Sequence, residues 1–313
     1  MASPPIVIAG SLEDAHARAV HDELQKRGLD PLVLDAQRFP EEMTLSLGEA
    51  NEAVELDGQA LGRPAAVYVR SLYQSPAGFG VEADEAMQEN WRRTMLAFRE
   101  RSTPLAAMLL RWELAGSALY NPSSTSINIT KPYQLALLHA AELPVPATLW
   151  SNDPAAVRRF CAEHEAIYKP VTGGAATRKV EPEHLTDERL ARLESAPVCF
   201  QELLPGEDVR VYIIDGQVIC ALRIVTDEID FRQNEQKIEA IQLSDEVAAQ
   251  CRRATATLGL RFTGMDIKAD REGRYRILEL NPSPMFLGFE ARAGVDITGP
   301  LCDALSSHAV GKV

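Results

Sequence analysis

Three oxygen-bearing side chains near the C-terminal end of the chain could bind a metal ion. Asp266 lies in one run that alternates apolar and polar residues, and Glu279 and Asn281 end a second run, with a turn at residues 270–273 between them. Because Glu279 and Asn281 are two residues apart, they share one face of an extended strand, and a hairpin in the right register adds Asp266 to it. Two carboxylates and an amide oxygen form a hard oxygen site of the kind that Mg²⁺ occupies together with substrate phosphates.

Two lysines could neutralise such phosphates. Lys131 opens a predicted helix with Pro132 at its first position, and Lys169 ends a predicted strand before a loop with Gly173 and Gly174. A lysine in that place can reach a phosphate while the amides of the loop close over it. Each lysine alone is more commonly a solvated surface residue, and the hairpin alone would equally be explained as a surface hairpin with solvated acids.

The elements that must position these groups can be predicted from hydrophobic periodicity. The chain opens with a β-α-β unit and hence with a parallel pair of strands. An amphipathic helix follows further on, and we expect Pro104 to break it. A polar stretch that begins at Asn121 separates this part from the rest. The predicted elements before it are a strand at 5–10, a helix at 12–27, a strand at 32–35, a hairpin over 44–56, a strand at 65–70 and the amphipathic helix at 82–115.

The order of the chemical groups resembles that of the RimK-like ATP-grasp ligases from about residue 121 to residue 305. The motifs that carry the resemblance are Asp266, Glu279-Leu-Asn-Pro-Ser-Pro, Gly288-Phe-Glu and Gly294-Val-Asp-Ile. The resemblance implies that Asp266, Glu279 and Asn281 hold Mg²⁺, with two ions expected and Mn²⁺ as a substitute. It also implies that Lys131 and Lys169 bind the phosphates of ATP.

Nucleotide contacts are implied at a second place in the same resemblance. Gln201-Glu202-Leu203-Leu204 resembles the hinge between the two ATP-grasp lobes, where the backbone binds adenine. This implies cofactor contacts for Gln201, Glu202 and Leu203, with Leu203 acting through its amide. The later Asp208 would contact ribose.

Reaction-centre contacts are implied by a third segment. Asp230-Phe-Arg-Gln-Asn resembles the family segment whose arginine and asparagine contact the phosphate end of the nucleotide. This implies binding roles for Arg232 and Asn234, and catalytic roles for Arg232 and Arg223. The family usually has paired arginines shortly before this segment, whereas here Arg223 stands there without a second one.

The front of the chain resembles a second group. Asp35-Ala-Gln-Arg-Phe-Pro and Val67-Tyr-Val-Arg70 are similar to the front domain of graspetide (microviridin-type) peptide maturases, which are themselves ATP-grasp ligases. Together the two resemblances imply a fold of α/β and α+β class, in which an ATP-grasp fold follows a parallel-sheet N-terminal (pre-ATP-grasp) domain. We expect domains over 1–120, 121–200 (small lobe) and 201–313 (large lobe). Arg70, at a strand end, could meet an acidic group of a peptide or form a structural ion pair.

Composition excludes several other classes of protein. The formal charge of −13 argues against a general nucleic-acid binder, and no apolar run reaches membrane-spanning length. The N-terminus lacks the basic and apolar regions of a signal peptide, which predicts a cytoplasmic protein. Five widely spaced cysteines favour reduced thiols over disulfides or a zinc site.

The resemblance implies an ADP-forming ligase. Such an enzyme phosphorylates a carboxylate with ATP, and an amine or hydroxyl then attacks the acyl phosphate. We expect a peptide substrate. An amino-acid or small-molecule ligase of RimK type, a kinase on the same fold and a nucleotide-binding regulator without turnover remain alternatives. We expect no nucleic-acid or membrane partner and allow for a homodimer or tetramer.

Overall fold

The fold is described from a computed structural model, which covers residues 4–50, 53–71, 91–172, 176–226 and 236–309. Three groups of strands carry the lobes of the molecule, and helices cover their faces. The strands of the front part are β1 (Ile6–Ala9), β2 (Leu32–Leu34), β3 (Leu45–Leu47), β4 (Val54–Leu56), β5 (Gln59–Ala60), β6 (Ala66–Val69) and β7 (Ala118–Tyr120). Those of the middle part are β8 (Thr148–Ser151), β9 (Ala166–Lys169), β10 (Arg178–Lys179) and β11 (Val198–Glu202). Those of the last part are β12 (Asp208–Ile214), β13 (Gln217–Val225), β14 (Lys237–Ile241), β15 (Phe262–Ala269) and β16 (Tyr275–Asn281).

The described residues form eight α-helices. In chain order they are α1 (Ala15–Lys26), α2 (Trp91–Leu114), α3 (Lys131–Ala140), α4 (Pro154–Glu163), α5 (Asp187–Ala191), α6 (Asp245–Leu258), α7 (Leu287–Ala293) and α8 (Thr298–Ala309).

The front part is a four-stranded parallel sheet in the order β2-β1-β6-β7. Its central strands are short apolar runs buried on both faces, as parallel strands covered by helices require. Asp14 caps α1 by accepting hydrogen bonds from the amides of His16 and Ala17. The predicted β-α-β opening is confirmed. The predicted hairpin over 44–56 is confirmed as β3 and β4, to which β5 adds a third strand.

Helix α2 corrects one prediction. It runs without a break from Trp91 to Leu114, although Pro104 lies inside it. Proline leaves the carbonyl of the residue four positions earlier without a helical donor. That residue, Glu100, is exposed, so water can hydrate its carbonyl and the helix can continue. Residues 82–90 of the predicted helix lie outside the described part of the chain.

The apolar residues of α2 are buried only in its second half. Met108 and Trp112 are fully buried against the parallel sheet. Trp91 and Met95, by contrast, are 55% and 43% exposed. The prediction of a core-facing helix is therefore right for the C-terminal half of α2 and wrong for its first turns.

The middle part is an antiparallel sheet in the order β10-β9-β11-β8. One face packs on α4 and α5 through Val157, Leu190 and Phe200. Because side chains alternate along a strand, Cys199 and Gln201 of β11 leave the opposite face, beside Lys169 of β9. That face carries the polar groups of this sheet.

The last part is a five-stranded antiparallel sheet in the order β14-β13-β12-β15-β16. Helices α3 and α6 cover one face, where Leu138, Val211, Leu258 and Met265 form one core. Helix α3 thus packs with the sheet of residues 208–281, although the chain reaches it before the middle sheet. The division of the chain at residues 120 and 200 stays a prediction.

A shared core joins the front sheet to the last sheet. It includes Ile8 and Tyr68 of the front sheet, Phe262 of β15 and Leu301 of α8. At its edge Arg27 donates to the Asp303 carboxylate at 2.5 Å and to the Gly299 carbonyl at 3.2 Å. The C-terminal helix is in this way part of the front lobe's packing.

The described residues also show the state of the cysteines and the apolarity of the helices. All five cysteines are free thiols, three of them buried. Among the described residues, we find no helix with the length and apolarity that crossing a membrane requires.

The buried side chain of Asn121 generates a stability prediction. Its Oδ1 accepts from the amides of Arg261 and Phe262 at 2.7 and 2.8 Å, and its Nδ2 donates to the Phe262 carbonyl at 2.7 Å. Asn121→Ala leaves these backbone groups without their partner, which lowers the free energy of unfolding by about 1–3 kcal/mol for each group. Asn128→Ala, which removes one 3.2 Å hydrogen bond, is the matched control. We expect the Asn121 variant to lose at least about 2 kcal/mol more in denaturant unfolding; equal losses would contradict this role.

Candidate active site

Polar side chains from three neighbouring strands share one face of the last sheet. Arg210 of β12 lies opposite Asp266 of β15, and Asp266 lies opposite Glu279 of β16. Asn281 lies opposite Gly264, two residues before Asp266. Directly paired residues project to the same face, so the two carboxylates, the amide and the guanidinium converge. The predicted register of the hairpin is therefore observed.

A β-bulge makes this arrangement possible. The register shifts between Asp266 and Ile267, so that Ile267 pairs with Ile277 and Leu278 is the extra residue of β16. The bulge allows Ile277 and Leu280 both to enter the core beneath the sheet. Glu279, between them, is turned to the opposite face beside Asp266.

Arg210 neutralises the Asp266 carboxylate. Its Nη1 donates to both carboxylate oxygens at 2.7 Å, and the Arg210 side chain is 8% exposed. Burial raises the pKa of Asp266, although the Arg210 guanidinium opposes this shift. Gly264 leaves the necessary room, since a Cβ at that position would lie 2.6 Å from Arg210 Nη2. The Nε of Arg210 is buried without a hydrogen-bond partner among the described residues.

The two predicted lysines approach the same place from different elements. Lys131, at the start of α3, lies 3.0 Å from Glu279 Oε2. Lys169, at the end of β9, donates to Gln201 Oε1 at 3.0 Å. Burial lowers the pKa of Lys169; the nearby Lys131 charge also lowers it, while Glu279 and Asp266 raise it. The structure thus brings the predicted lysines and acids into one electrostatic group.

The donor set fits Mg²⁺ in its chemistry. Mg²⁺ is commonly held by one or two carboxylates together with substrate phosphates, and Asp266, Glu279 and Asn281 supply two carboxylates and an amide oxygen. Lys131 and Arg210 stand as cations on the two carboxylates, as a metal ion would. Within the described ranges, no three histidine, cysteine or acidic side chains are grouped as a metal site.

The predicted hinge follows the middle sheet into the last one. Gln201 is buried, and its Nε2 donates to Thr148 Oγ1 at 2.9 Å. The amides of Glu202 and Leu203 donate to the backbone carbonyls of Ala147 and Glu165, which directly precede β8 and β9, at 3.0 and 2.7 Å. The Leu203 amide is therefore already bonded to the Glu165 carbonyl. This hydrogen bond conflicts with the predicted contact between the Leu203 amide and adenine.

Asp208, the predicted ribose contact, is buried on the same face as Arg210. Its Oδ2 accepts from Lys268 Nζ at 2.5 Å. The strand register explains this pair, because Asp208 lies directly opposite Lys268.

Arg223 is not placed with the other predicted site residues. It lies opposite Val209, on the face of the sheet that packs on α3 and α6. Its guanidinium pairs with Glu207 and approaches Glu239 at 3.7 Å. The period-two alternation that puts Asp208 and Arg210 on one face puts Arg223 on the other. Arg232, Asn234 and the glycine loop at 173–174 lie outside the described residues.

Two residues of this site received no role from the sequence. Arg210 follows Asp208 by two positions, so strand alternation alone could have placed it on the same face. Gln134 could not have been found in this way. Its side chain is buried and binds the backbone of Leu280 in both directions, at 2.8 and 3.0 Å. This bond holds β16 between Glu279 and Asn281.

Two antiparallel sheets follow a parallel front sheet, and two lysines lie beside the sheet face that carries Asp266, Glu279 and Asn281. This arrangement defines the ATP-grasp class of fold. Comparison with known proteins agrees. A model of the RimK-like ATP-grasp domain matches residues 198–305. The ATP-grasp ligase PsnB, solved with a phosphomimetic variant of a minimal precursor, Mg and ADP, is 64% identical, with 99% of this chain and 100% of that chain covered and a TM-score of 0.93. The chain belongs to the ATP-grasp ligases.

More distant relatives share the fold or a part of the chain. The macrocyclase MdnC from Microcystis aeruginosa MRC, bound with precursor peptide MdnA, has a TM-score of 0.81 at 20% identity, over 97% of this chain and 99% of that one, which shows the fold alone. A probable alpha-L-glutamate ligase from Aeromonas salmonicida (strain A449) is 34% identical over 34% of this chain. The match spans 37% of that curated relative's length.

The lysine pair generates a binding prediction. If Lys131 and Lys169 bind phosphate as predicted, removing either ammonium would leave phosphate charge unmatched, where a charge-assisted contact contributes about 1.5–3 kcal/mol. We expect Lys131→Ala and Lys169→Ala each to weaken binding of a non-hydrolysable ATP analogue about tenfold or more in calorimetric titration. Lys179→Ala, which removes a lysine of β10 paired with Glu165, is the control. If both variants bind as the control does, the nucleotide site lies elsewhere.

Proposed function

We propose that this protein is an ADP-forming ligase that joins a carboxylate of a peptide to an amine or a hydroxyl. The observation that carries the proposal is the convergence of Asp266, Glu279 and Asn281 with Lys131 and Lys169. Such a site has little covalent chemistry to perform. Its task is to hold polyanions close together and to neutralise the charge that develops during phosphoryl transfer.

In this proposal the described residues divide into anion-binding and cation-binding groups. Asp266, Glu279 and Asn281 hold Mg²⁺, which when bound with ATP polarises the γ-phosphate for transfer. Lys131 and Lys169 bind the phosphate oxygens. The 3.0 Å contact between Lys131 and Glu279 supports this role, because it places the Lys131 ammonium beside a carboxylate that would hold the metal ion.

The nucleotide base would bind at the hinge. Gln201, Glu202 and the backbone around Leu203 border it, and the engaged Leu203 amide leaves a later amide, such as that of Leu204, to meet adenine. Asp208 would contact ribose from within its pair with Lys268. Arg232 and Asn234 would contact the phosphate end. For Arg223 a catalytic role would require it to act from the opposite face of the sheet.

The reaction balances without a side-chain nucleophile. One carboxylate oxygen of the substrate attacks the γ-phosphorus of ATP, and ADP leaves with the electrons of the broken bond. An amine nitrogen or a hydroxyl oxygen then attacks the acyl carbon and releases its proton to solvent, and phosphate leaves with the original carboxylate oxygen. The product is an amide or an ester, lighter than the reactants by one water.

The peptide nature of the substrate is supported by the relatives. PsnB has been solved with a minimal precursor and with the precursor peptide PsnA2 and AMPPNP. The curated relatives that carry the name of probable alpha-L-glutamate ligase favour a second candidate function, the ligation of a free amino acid. A kinase would use the same site but release a phosphorylated product.

Product mass distinguishes these functions. The protein would be incubated with ATP and Mg²⁺ and with either PsnA2 or free glutamate, with ADP measured in parallel. A peptide lighter by one water per bond, with one ADP formed per bond, supports the proposal. A stable added phosphate would indicate a kinase. If glutamate is condensed while PsnA2 remains unmodified, the substrate is an amino acid rather than a peptide.

Glu279 generates a prediction about turnover. Glu279→Gln keeps the shape of the side chain and one acceptor oxygen but removes the charge that a Mg²⁺ ligand supplies. We expect ADP formation with PsnA2 to fall by about two orders of magnitude or more, while nucleotide still binds through the lysines. Glu272→Gln makes the same chemical change in the turn of the same hairpin and should retain activity. Near-normal ADP formation by Glu279→Gln would contradict the metal assignment.

A further inference from the structure

The loop that follows Asn281 leaves the last sheet and docks on the front sheet. Ser283 lies against Arg70, just after the end of β6, at 2.9 Å from Nη1 to the Ser283 carbonyl and 2.8 Å to its Oγ. The Ser283 hydroxyl in turn donates to the Arg70 carbonyl at 2.7 Å. Three hydrogen bonds therefore join the front lobe to the segment directly after a proposed metal ligand.

The docking place is the crevice where parallel sheets of this kind commonly bind ligands. In the order β2-β1-β6-β7 the chain turns to one side of β1 for β2 and returns to the other side for β6. Ligands bind outside the carboxyl ends of the strands at such a switch point. Here Gly10 follows β1, and a Cβ on it would lie 3.1 Å from the Arg70 Cβ. Arg70 thus lies at this crevice, and Ser283 contacts it there.

Asp14 fixes the orientation of Arg70. Its two carboxylate oxygens accept from Nε and Nη2 of Arg70, each at 3.0 Å. Asp14 is itself held as the cap of α1. The guanidinium therefore uses four of its five N–H groups inside the protein, and its side chain is 11% exposed. Little of it remains to meet a substrate.

The connection reaches the metal face through Asn281. The Ser283 amide donates to Asn281 Oδ1 at 3.1 Å, which orients the side-chain amide. Thr263 Oγ1 donates to the Asn281 carbonyl at 2.9 Å. Ser283 therefore touches the oxygen that would coordinate the metal ion on one side and Arg70 on the other.

We propose that Arg70, held by Asp14, is a positioning residue for the metal site: it fixes the Ser283 loop and thereby the amide oxygen of Asn281. This inference rests on the proposed function, because it gives Arg70 a task only if Asn281 binds Mg²⁺. It also makes Arg70 a structural part of the site rather than the peptide contact that the strand end suggested. Partners of metal ligands commonly contribute 10–100-fold to metal affinity.

The test measures how ADP binding depends on Mg²⁺. ADP would be titrated calorimetrically at a series of Mg²⁺ concentrations and without Mg²⁺. Arg70→Met should raise the Mg²⁺ concentration at which Mg²⁺ half-maximally strengthens ADP binding, by about tenfold or more. ADP binding in the absence of Mg²⁺ should be unchanged. Ser283→Ala should raise this Mg²⁺ concentration less, because the Ser283 backbone carbonyl still accepts from Arg70.

Arg27→Met is the matched control. Arg27 also joins the front lobe to the C-terminal part, but its hydrogen-bond partners are Glu23, Asp303 and Gly299 rather than Ser283. Thermal unfolding of both methionine variants separates lost stability from lost metal binding. Should Arg70→Met fail to fold, Ser283→Ala, which removes one hydroxyl, still tests the proposal.

Three results would overturn the inference in distinguishable ways. An identical Mg²⁺ dependence in Arg70→Met and Arg27→Met would show that Arg70 contributes only stability. A raised KM for PsnA2 with unchanged Mg²⁺ dependence would make Arg70 a substrate contact. If Mg²⁺ does not change ADP binding by the wild-type protein, the proposed function is wrong, and so is this inference.

Discussion

The structure depends on keeping two carboxylates close together on a largely buried strand face. Asp266 and Glu279 lie directly opposite each other, and carboxylates in such positions repel each other and lose hydration. The face is stable because each carboxylate has a cation of its own, Arg210 in one case and Lys131 in the other. A buried charge without its partner would be strongly destabilising. In the proposed function, these pairs would keep both carboxylates charged until a metal ion binds.

Each lobe supplies part of this arrangement through its own packing. Helix α3 lies under the last sheet, so its first residue, Lys131, reaches the edge of the polar face. The middle sheet contributes Lys169 from the face opposite α4 and α5, where Gln201 accepts a hydrogen bond from its ammonium. The front sheet contributes the crevice into which the loop after β16 docks. The site is therefore assembled from all three sheets.

Much of the site could be predicted because it depends on local spacing. Glu279 and Asn281 share a face at any register, and the family motifs predicted Lys131 and Lys169. What depends on long-range pairing could not be predicted. The β-bulge at Leu278, the contact of Gln134 with Leu280 and the docking of Ser283 on Arg70 join residues distant in sequence. The continuation of α2 through Pro104 depended on solvent around Glu100, which periodicity does not report.

The central claim is that the oxygen face serves to activate a carboxylate by phosphorylation. Transfer of labelled oxygen tests it most directly. PsnA2 with ¹⁸O in its side-chain carboxylates would be incubated with the protein, ATP and Mg²⁺, and the released phosphate analysed by mass spectrometry. An acyl-phosphate route predicts one labelled oxygen in the phosphate for each bond formed. Unlabelled phosphate, released while the peptide retains all of its label, would contradict the account.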